Sequence, residues 1–267
     1  MEPMHTIHLE IAEVGLAIHS DNPEFIAQIA DRYEGFVRPE SAGFSMTVDT
    51  ERGITTIGED LPRVTTTGPD TFHFERRDFF MDVDKASRTM AGSCAPNMYS
   101  FDSCLRVFFA TYLLDLQGIM IHGASAVDTN GTAWLFFGVS GAGKTTTARL
   151  SAPRQVLSDE LTILRRVGDG YRAYGTPFWG ELQKNGDNVN APLGGVNMLV
   201  KDDKAFLESI PARKALQALL PCVLFFAHEP ALVNGAVDRI ADLVATVPAS
   251  EMHFLPDNSF WRLFEHA

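Results

Sequence analysis

Residues 138–150 read GVSGAGKTTTARL, and this stretch decides which fold the sequence predicts. Gly138, four further residues and then Gly143-Lys144-Thr145 fit the phosphate-loop pattern G-x-x-x-x-G-K-[ST] without a mismatch. The preceding TAWLFF is typical of a strand and the following KTTTARL of a helix, which is the context that the pattern requires. The stretch therefore predicts a nucleotide site on an α/β fold.

Each position of this glycine-rich loop has a physical role. Glycines let the backbone curl with its N–H groups facing inward. The helix that begins at Lys144 turns its partial positive charge toward bound phosphates. The Lys144 ammonium can bridge the β- and γ-phosphates of ATP, and the Thr145 hydroxyl can hold Mg²⁺. The residues expected to bind ATP are Gly138, Val139, Ser140, Gly141, Ala142, Gly143, Lys144, Thr145 and Thr146.

An acidic pair follows the loop at short range. In QVLSDE, Asp159 and Glu160 end a short apolar run, fifteen residues after Lys144. We expect a strand here whose end places Asp159 near the γ-phosphate, as the base that accepts the proton of an attacking hydroxyl. Glu160 has a supporting role, and Mg²⁺ is expected on Thr145, Asp159 and Glu160. Because neighbours on a strand alternate between faces, only one acid is expected to face the site. An ordinary polar strand end is the alternative.

His122 lies upstream of the loop in IMIHGAS. Asn130-Gly131 predicts a tight turn that pairs IMIHGASAVD with TAWLFFG as a hairpin. This hairpin would bring His122 beside the loop, where it joins Asp159 and Lys144 as a candidate catalytic residue. A histidine on an apolar strand is otherwise a satisfied core residue.

These motifs together carry a family resemblance. IHGASAVDTNGTAWLFFGVSGAGKT followed by VLSDE resembles the catalytic domain of HPr kinase/phosphorylase, over residues 118–165. The resemblance implies a P-loop core with a mixed sheet, related in fold to ATP-dependent phosphoenolpyruvate carboxykinases. It also implies that Asp159 activates a serine hydroxyl, that His122 lies close by, and that Glu160 takes the place of a second Asp. The implied acceptor is a protein or peptide, such as a small carrier protein or a ribosomally made peptide precursor.

The short distance between loop and acids favours direct phosphoryl transfer over hydrolysis coupled to movement. The hypothesis is an ATP- and Mg²⁺-dependent kinase that acts on Ser or Thr of a protein or peptide. The alternatives are a small-molecule hydroxyl kinase, a carboxykinase-like lyase and a non-catalytic nucleotide-binding regulatory module. These patterns specify neither the acceptor nor whether the chain forms a homo-oligomer.

Composition limits the class of protein further. A chain of 267 residues with 45% hydrophobic content is typical of a globular protein. Its net charge of −12 argues against nucleic-acid binding, which relies on Lys and Arg at phosphates. Three scattered cysteines indicate a reduced, cytoplasmic interior without a disulfide framework or zinc site. No stretch reaches the ~20 apolar residues of a membrane span, and acids stand where a signal peptide would be basic.

Two domains are predicted: an N-terminal α+β portion over residues 1–95, with a role in substrate recognition left open, and a P-loop catalytic domain over 96–267. We expect the first to pack on the second. In the first, residues 6–18 predict a strand, SDNP a helix start, and residues 40–92 an antiparallel meander.

The remaining patterns concern the second domain. A helix is predicted over 105–116, stopped by Gly118. After the acidic pair, LTILRR and YRAYG predict two strands around VGDG, and a helix, a strand and a short terminal helix are predicted in the tail.

Several further residues are weaker candidates. In YGTPFWGE, Trp179 and Glu181 could frame the acceptor or the nucleotide, with a packed connection as the alternative. Arg213 and Lys214 begin a predicted helix in an acidic protein. A solvated helix start is the favoured interpretation, and contact with the triphosphate is the alternative. Arg149 is expected to be structural.

Overall fold

The computed structural model describes residues 3–50 and 60–265. The chain divides into two compact units, and the first unit is discontinuous: Met1–Thr111 and Phe225–Val233 form one unit, and Tyr112–Leu224 and Asn234–Ala267 form the other. The first unit therefore includes the helix that follows residue 95, the predicted end of the N-terminal portion. The functional division at residue 95 stays a prediction.

The first unit is built on one eight-stranded sheet with two helices. Its strands are β1 His5–Ile11, β2 Val14–Ser20, β3 Val37–Arg38, β4 Gly43–Asp49, β5 Arg63–Thr66, β6 Thr71–Arg76, β7 Phe79–Asp84 and β8 Thr89–Cys94. Their order across the sheet is β3-β1-β2-β4-β8-β7-β6-β5. Its helices are α1 Pro23–Arg32 and α2 Met98–Tyr112, with a short 3₁₀ turn at Glu34–Phe36.

The single strand predicted over residues 6–18 is wrong, because the chain turns in its middle. Ala12 and Glu13 have φ of 51° and 63°, so both lie in the left-handed region. Two such residues form the tight turn whose twist suits a hairpin. The apolar alternation thus continues through a hairpin of β1 and β2.

The predicted meander is correct for β5 to β8, which pair antiparallel in sequence order. Strand β4 is different, because it pairs parallel with both β2 and β8. Alternation indicates which face of a strand is buried and not the direction of its neighbours, so the pattern could not predict this. Part of the predicted meander, residues 51–59, lies outside the described residues.

The two helices of this unit begin and end for local reasons. Helix α1 starts as predicted, with Pro23 in its first turn and the Asn22 side chain accepting the Phe25 N–H at 3.1 Å. Helix α2 ends at Tyr112, earlier than predicted. Gly118 does not stop this helix but begins the next strand.

Residues 225–233 complete the open edge of the first sheet. Ala227 forms a parallel bridge with Val64 of the edge strand β5. The Thr66 N–H donates to Oε1 of Glu229 at 2.6 Å. A segment that is distant in sequence therefore satisfies part of an edge that would otherwise present unpaired backbone groups.

The second unit has a mixed sheet of eight strands. These are β9 Gly118–Val127, β10 Ala133–Phe137, β11 Val156–Ser158, β12 Leu161–Val167, β13 Gly170–Tyr174, β14 Asn190–Lys201, β15 Phe206–Ser209 and β16 Ala249–Phe254. Its helical segments are α3 Lys144–Leu150, α4 Ala212–Leu219, the 3₁₀ turns Leu220–Cys222 and Asn258–Phe264, and most of α5 Pro230–Thr246.

The strand order of this sheet is β10-β9-β12-β13-β14-β16-β15, with β11 also on β9. The predicted β9–β10 hairpin and the β12–β13 pair are confirmed as antiparallel neighbours. Strand β10 also pairs parallel with β14, so the pairing closes on itself. The predicted tail of helix, strand and short terminal helix is confirmed by α5, β16 and the last 3₁₀ turn. The protein is thus mixed α/β, with helix in the minority.

Strand β10 is buried on both faces, which holds the segment that follows it. Leu135 and Phe137 belong to one apolar cluster, with Ile240 of α5. Trp134 and Phe136 belong to a second cluster on the opposite face, with residues of the last 3₁₀ turn. Within the described part of the chain, no helix is both long and apolar enough to cross a membrane.

Candidate functional site

The glycine-rich loop connects the end of β10 to the start of α3, as the sequence predicts. Gly141 and Gly143 have φ of 77° and 115°, a conformation that side chains rarely adopt. A Cβ on Gly143 would also lie 2.8 Å from Cζ of Phe254, in β16. Both the backbone angle and the packing therefore require glycine at position 143.

Lys144 is the buried cation of this loop, with 9% of its surface exposed. Its Nζ donates to the carbonyl oxygens of Gly138 at 3.1 Å and Val139 at 3.4 Å. The carbonyl groups of the loop thus hold the ammonium group inside its curve. Val139 itself is 80% exposed, so its side chain takes no part in packing.

The loop forms one side of a cavity of about 520 Å³ that lies within the second unit. Eight of the residues predicted for catalysis, ATP binding or Mg²⁺ binding line it: His122, Ser140, Gly141, Gly143, Lys144, Thr145, Thr146 and Glu160. Four others do not line it: Gly138, Val139, Ala142 and Asp159. The structure therefore brings most of the predicted residues to one cavity, which Glu160 lines and Asp159 does not.

His122 and Glu160 meet at the wall of this cavity. Strand β9 is buried along its length except at His122, whose side chain is 47% exposed. In the register of β9 and β12, His122 is opposite Leu161, and the Gly123 N–H donates to the Glu160 carbonyl at 3.0 Å. The two side chains lie with Nε2 of His122 3.3 Å from Oε1 of Glu160. The core role considered for His122 is therefore wrong.

Asp159 has a different environment. It is 4% exposed, and its two carboxylate oxygens accept backbone N–H groups, Oδ1 from Gly180 at 3.2 Å and Oδ2 from Leu182 at 3.0 Å. It lines a smaller cavity of about 330 Å³, together with Arg149 and Lys184. The carboxylate of Asp159 thus holds the loop that follows β13.

Local backbone geometry explains why the two acids have different surroundings. Strand β11 ends at Ser158, so Asp159 and Glu160 lie in a bend and not on a strand. The Ser158 hydroxyl accepts the N–H groups of Glu160 at 3.1 Å and Leu161 at 2.9 Å, which stabilises that bend. The expectation that one of the two acids faces the site is met, but by Glu160 and not by Asp159.

Of the weaker candidates Trp179, Glu181, Arg213 and Lys214, one lines the main cavity and three do not. Glu181 lines the main cavity, whereas Trp179 donates its Nε1–H to Asn185 at 2.7 Å and does not line it. Neither Arg213 nor Lys214 lines the cavity. Lys214 instead forms an ion pair with Glu251 at 2.6 Å and is half exposed, which agrees with a solvated helix start and not with reach to a triphosphate.

Lys201 is a cavity residue that the sequence analysis missed. It is the last residue of β14, which reads NAPLGGVNMLVK and carries two glycines in its middle. Those glycines weaken the strand pattern of the segment, so the sequence gives little sign that residue 201 ends a strand. A lysine at the end of an apolar run, VNMLVK, was the signal that could have revealed it.

The site therefore gathers two lysines, several hydroxyl groups, two carboxylates and a histidine around a glycine-rich loop whose glycines have left-handed backbone angles. Ammonium groups and loop N–H groups bind phosphate oxygens. Hydroxyl and carboxylate oxygens are the donors that Mg²⁺ prefers. The arrangement defines a class of site that can hold a polyanion with a divalent cation.

The cavity residues all lie in the part of the chain that matches a known family model. The family model described as SynChlorMet cassette protein ScmC matches residues 97–222, just under half of the chain. A search of curated proteins found no match. Among solved structures, the chain is distantly similar to the Hpr(Ser) kinase/phosphatase from Coxiella burnetii. The sequence identity is 9% and the TM-score 0.31, over 55% of this chain and 94% of that chain.

Proposed function

We propose that this protein is an ATP- and Mg²⁺-dependent phosphotransferase that moves the γ-phosphate to a hydroxyl group. One observation carries the proposal: the glycine-rich loop, Lys144 and Thr145 share a cavity with Glu160 and His122. A phosphate-binding loop and an acid–base pair in one cavity are the two components that transfer to a hydroxyl requires.

The nucleotide phosphates are assigned to the glycine-rich loop. The left-handed conformations of Gly141 and Gly143 curve the backbone, so that its N–H groups can converge on an anion. Lys144 is already held at the inner side of the loop, and Lys201 adds a second cation at the cavity. These cations stabilise the negative charge that develops on the transferred group.

Thr145 and Glu160 are assigned to Mg²⁺. Both line the cavity, and hydroxyl and carboxylate oxygens fit this hard cation. When bound, Mg²⁺ neutralises charge on the phosphate oxygens. Asp159, the third metal ligand expected from the sequence, already accepts two backbone N–H groups, which favours a positioning role for it.

Glu160 is also the better placed of the two acids to act as base, with His122 as its partner at 3.3 Å. In the proposed reaction the acceptor oxygen attacks the γ-phosphorus and forms the new O–P bond. The bond between the γ-phosphorus and the β,γ-bridging oxygen breaks, and ADP leaves. The proton of the acceptor hydroxyl goes to the Glu160 carboxylate, directly or through His122. A serine or threonine of a protein or peptide is the proposed acceptor.

The first experiment is calorimetric titration of ATP with and without Mg²⁺, followed by transfer of labelled phosphate. The transfer assay uses an array of Ser- and Thr-containing peptides, with free serine and glycerol as small-molecule acceptors. Transfer to peptides supports the proposal. Transfer only to small alcohols assigns the site to a small-molecule kinase. Binding without any transfer assigns it to a nucleotide-binding regulatory module.

A matched pair of variants tests the roles of the acids. Glu160→Gln should reduce the transfer rate by about 10²–10⁴-fold, because it removes the proposed base and weakens a proposed Mg²⁺ ligand, while the free energy of unfolding stays near that of the wild type. Asp159→Asn should cost about 1–3 kcal/mol of stability, because one of two partly buried backbone N–H groups loses its acceptor. If Asp159→Asn abolishes transfer in a fully stable protein while Glu160→Gln stays active, the roles are reversed.

A further inference from the structure

We propose that Glu208, Glu251 and His253 form a second metal site, for a divalent first-row transition ion, with Zn²⁺ as the representative. The site is independent of the nucleotide cavity and of the function proposed for it. One ligand atom of each residue lies within 4.8 Å of the others. Strands β15 and β16 bring them together, because in the antiparallel register Glu208 is directly opposite Glu251.

The histidine of this group has a buried nitrogen that needs a partner. Nδ1 of His253 lies 2.8 Å from Oδ2 of Asp202, whereas Nε2 is shielded from solvent and has no hydrogen-bond partner among the described residues. Nε2 lies 4.0 Å from Oε2 of Glu208 and 4.0 Å from Oε2 of Glu251. When Nδ1–H donates to Asp202, the Nε2 lone pair faces the two carboxylates, which is the arrangement of a metal-binding histidine with its outer carboxylate.

The ring of His253 is also fixed in orientation. Phe206, opposite it on β15, stacks on the imidazole with centroids 4.1 Å apart and planes 10° apart. The side chain of His253 is 15% exposed. Stacking and the Asp202 contact together leave the imidazole little freedom to turn Nε2 elsewhere. A preorganised ligand of this kind loses little conformational entropy when it binds a metal.

The negative charges around His253 also favour binding of a cation. Asp202, Glu208 and Glu251 surround one histidine, and two like charges directly opposite each other destabilise a strand pair. Lys214 neutralises one of them, since its Nζ lies 2.6 Å from Oε1 of Glu251. Oε2 of Glu251, the atom nearer His253, remains for a metal. Two negative charges are left with a neutral histidine, which a divalent ion balances.

The ligand set favours zinc over calcium or magnesium. Imidazole nitrogen combined with carboxylate oxygen suits Zn²⁺, at bond lengths of about 2.0–2.2 Å. Tetrahedral ligands at such lengths are about 3.3 Å apart, so the 4.0 Å separations must shorten. The side chain of Glu208 is 63% exposed and can rotate toward the metal, whereas the less exposed Glu251 must move by a fraction of an ångström. Three protein ligands leave the fourth position to water.

The experiment is a calorimetric titration of the metal-free, full-length protein with Zn²⁺ alone at pH 7.5. We expect one Zn²⁺ per chain at this site. His253→Ala and Glu208→Gln should each weaken its binding by about tenfold or more, since each removes a ligand, and Asp202→Asn by about 10–100-fold. His73→Ala is the matched control, because His73 also contacts two carboxylates, Asp82 at 2.9 Å and Glu75 at 3.8 Å.

His122→Ala separates this site from the nucleotide cavity. Zn²⁺ binding that survives His73→Ala and His122→Ala but is lost in His253→Ala supports the site. No Zn²⁺ binding by the wild type, or binding that His253→Ala leaves unchanged, overturns the proposal. Glu208→Gln changes an exposed side chain, so it tests the site even if His253→Ala impairs folding. Nucleotide binding in these variants reports separately on the function proposed above.

Discussion

Gly180 donates its N–H to Oδ1 of Asp159 across 3.2 Å at a point where there is no room for a side chain. A Cβ on Gly180 would lie 2.7 Å from Oδ2 of Asp159 and 2.9 Å from Cβ of Glu160. Residue 180 thus touches both acids of the pair, one of which lines the main cavity. The position of the loop that follows β13 and the position of the Glu160 carboxylate are linked through this single contact.

Gly180→Ala should therefore displace both carboxylates. We expect a loss of about 1–3 kcal/mol in the free energy of unfolding, because the added methyl group overpacks the site. We also expect a clear fall in phosphate transfer, since small displacements of catalytic groups are costly. Gly170→Ala is the control, as a Cβ there meets no atom within 4 Å. Equal behaviour of the two variants in urea denaturation and transfer assays would contradict this contact.

Lys144→Ala should weaken ATP binding by about 10–150-fold. A hydrogen bond to a charged group contributes about 1.5–3 kcal/mol, which corresponds to this change in the dissociation constant. Arg149→Ala is the matched control, because Arg149 is an exposed cation of the same helix that does not line the main cavity. Calorimetry with ATP and Mg²⁺ measures both. If the two substitutions weaken binding equally, Lys144 acts only through net charge.

Asp78 should stabilise the first unit in a pH-dependent way. It is fully buried, and Arg76 contacts both of its oxygens at 2.6 and 2.7 Å. Burial alone would raise its pKa, but hydrogen bonds from Arg76 and Ser100 outweigh burial and lower the pKa below its usual value. Asp78→Asn should cost about 3–5 kcal/mol, because it leaves the Arg76 charge buried without a partner.

The sign of the pH effect follows from the lowered pKa. The contribution of Asp78 is fully present above the unfolded pKa of about 3.9 and is lost as pH falls through the lower folded value. The difference in unfolding free energy between wild type and Asp78→Asn should therefore shrink below about pH 4. Urea denaturation at a series of pH values measures it, with the exposed Asp31→Asn as control. A pH-independent difference would exclude the ion pair as its source.

The three cysteines should be unreactive in the folded protein. Cys94, Cys104 and Cys222 are buried free thiols, and burial raises the pKa of each. Because only the thiolate attacks a disulfide reagent, a thiol assay at pH 8 should detect almost no cysteine in the native state and three after denaturation. A fast-reacting thiol in the native protein would indicate local opening.

Local patterns predicted the centre of the second unit well. The Asn130-Gly131 turn, the apolar runs on either side and the glycine-rich loop are short-range signals, and each corresponds to an observed element. The same signals led to His122, because a hairpin has a fixed register and places one strand beside the other. Within the site, Lys201 was missed because it reaches the cavity through a strand whose parallel partner, β10, is far away in sequence.

Long-range pairing and side-chain direction were beyond the sequence patterns. Nothing in GFSMTVD distinguishes the parallel strand β4 from an antiparallel one, since alternation carries no direction. Asp159 and Glu160 were assigned by strand alternation, but Ser158 ends the strand with its hydroxyl. A side-chain hydrogen bond of one serine thus decides which carboxylate lines the cavity. Competition of this kind between side chain and backbone is common in turns.

The bridge between Val64 and Ala227 has a consequence for biosynthesis. A ribosome makes the chain from its N-terminus, so the eight strands of the first sheet emerge long before residues 225–233 do. Until then β5 lacks the bridge to Ala227 and the contact with Glu229, so among the described residues its edge keeps unpaired backbone groups that can pair with other chains. The first unit can complete its fold only after synthesis has passed residue 233. A gene fragment that stops at residue 111 therefore encodes an incomplete unit, and expressing it alone should yield aggregation-prone protein.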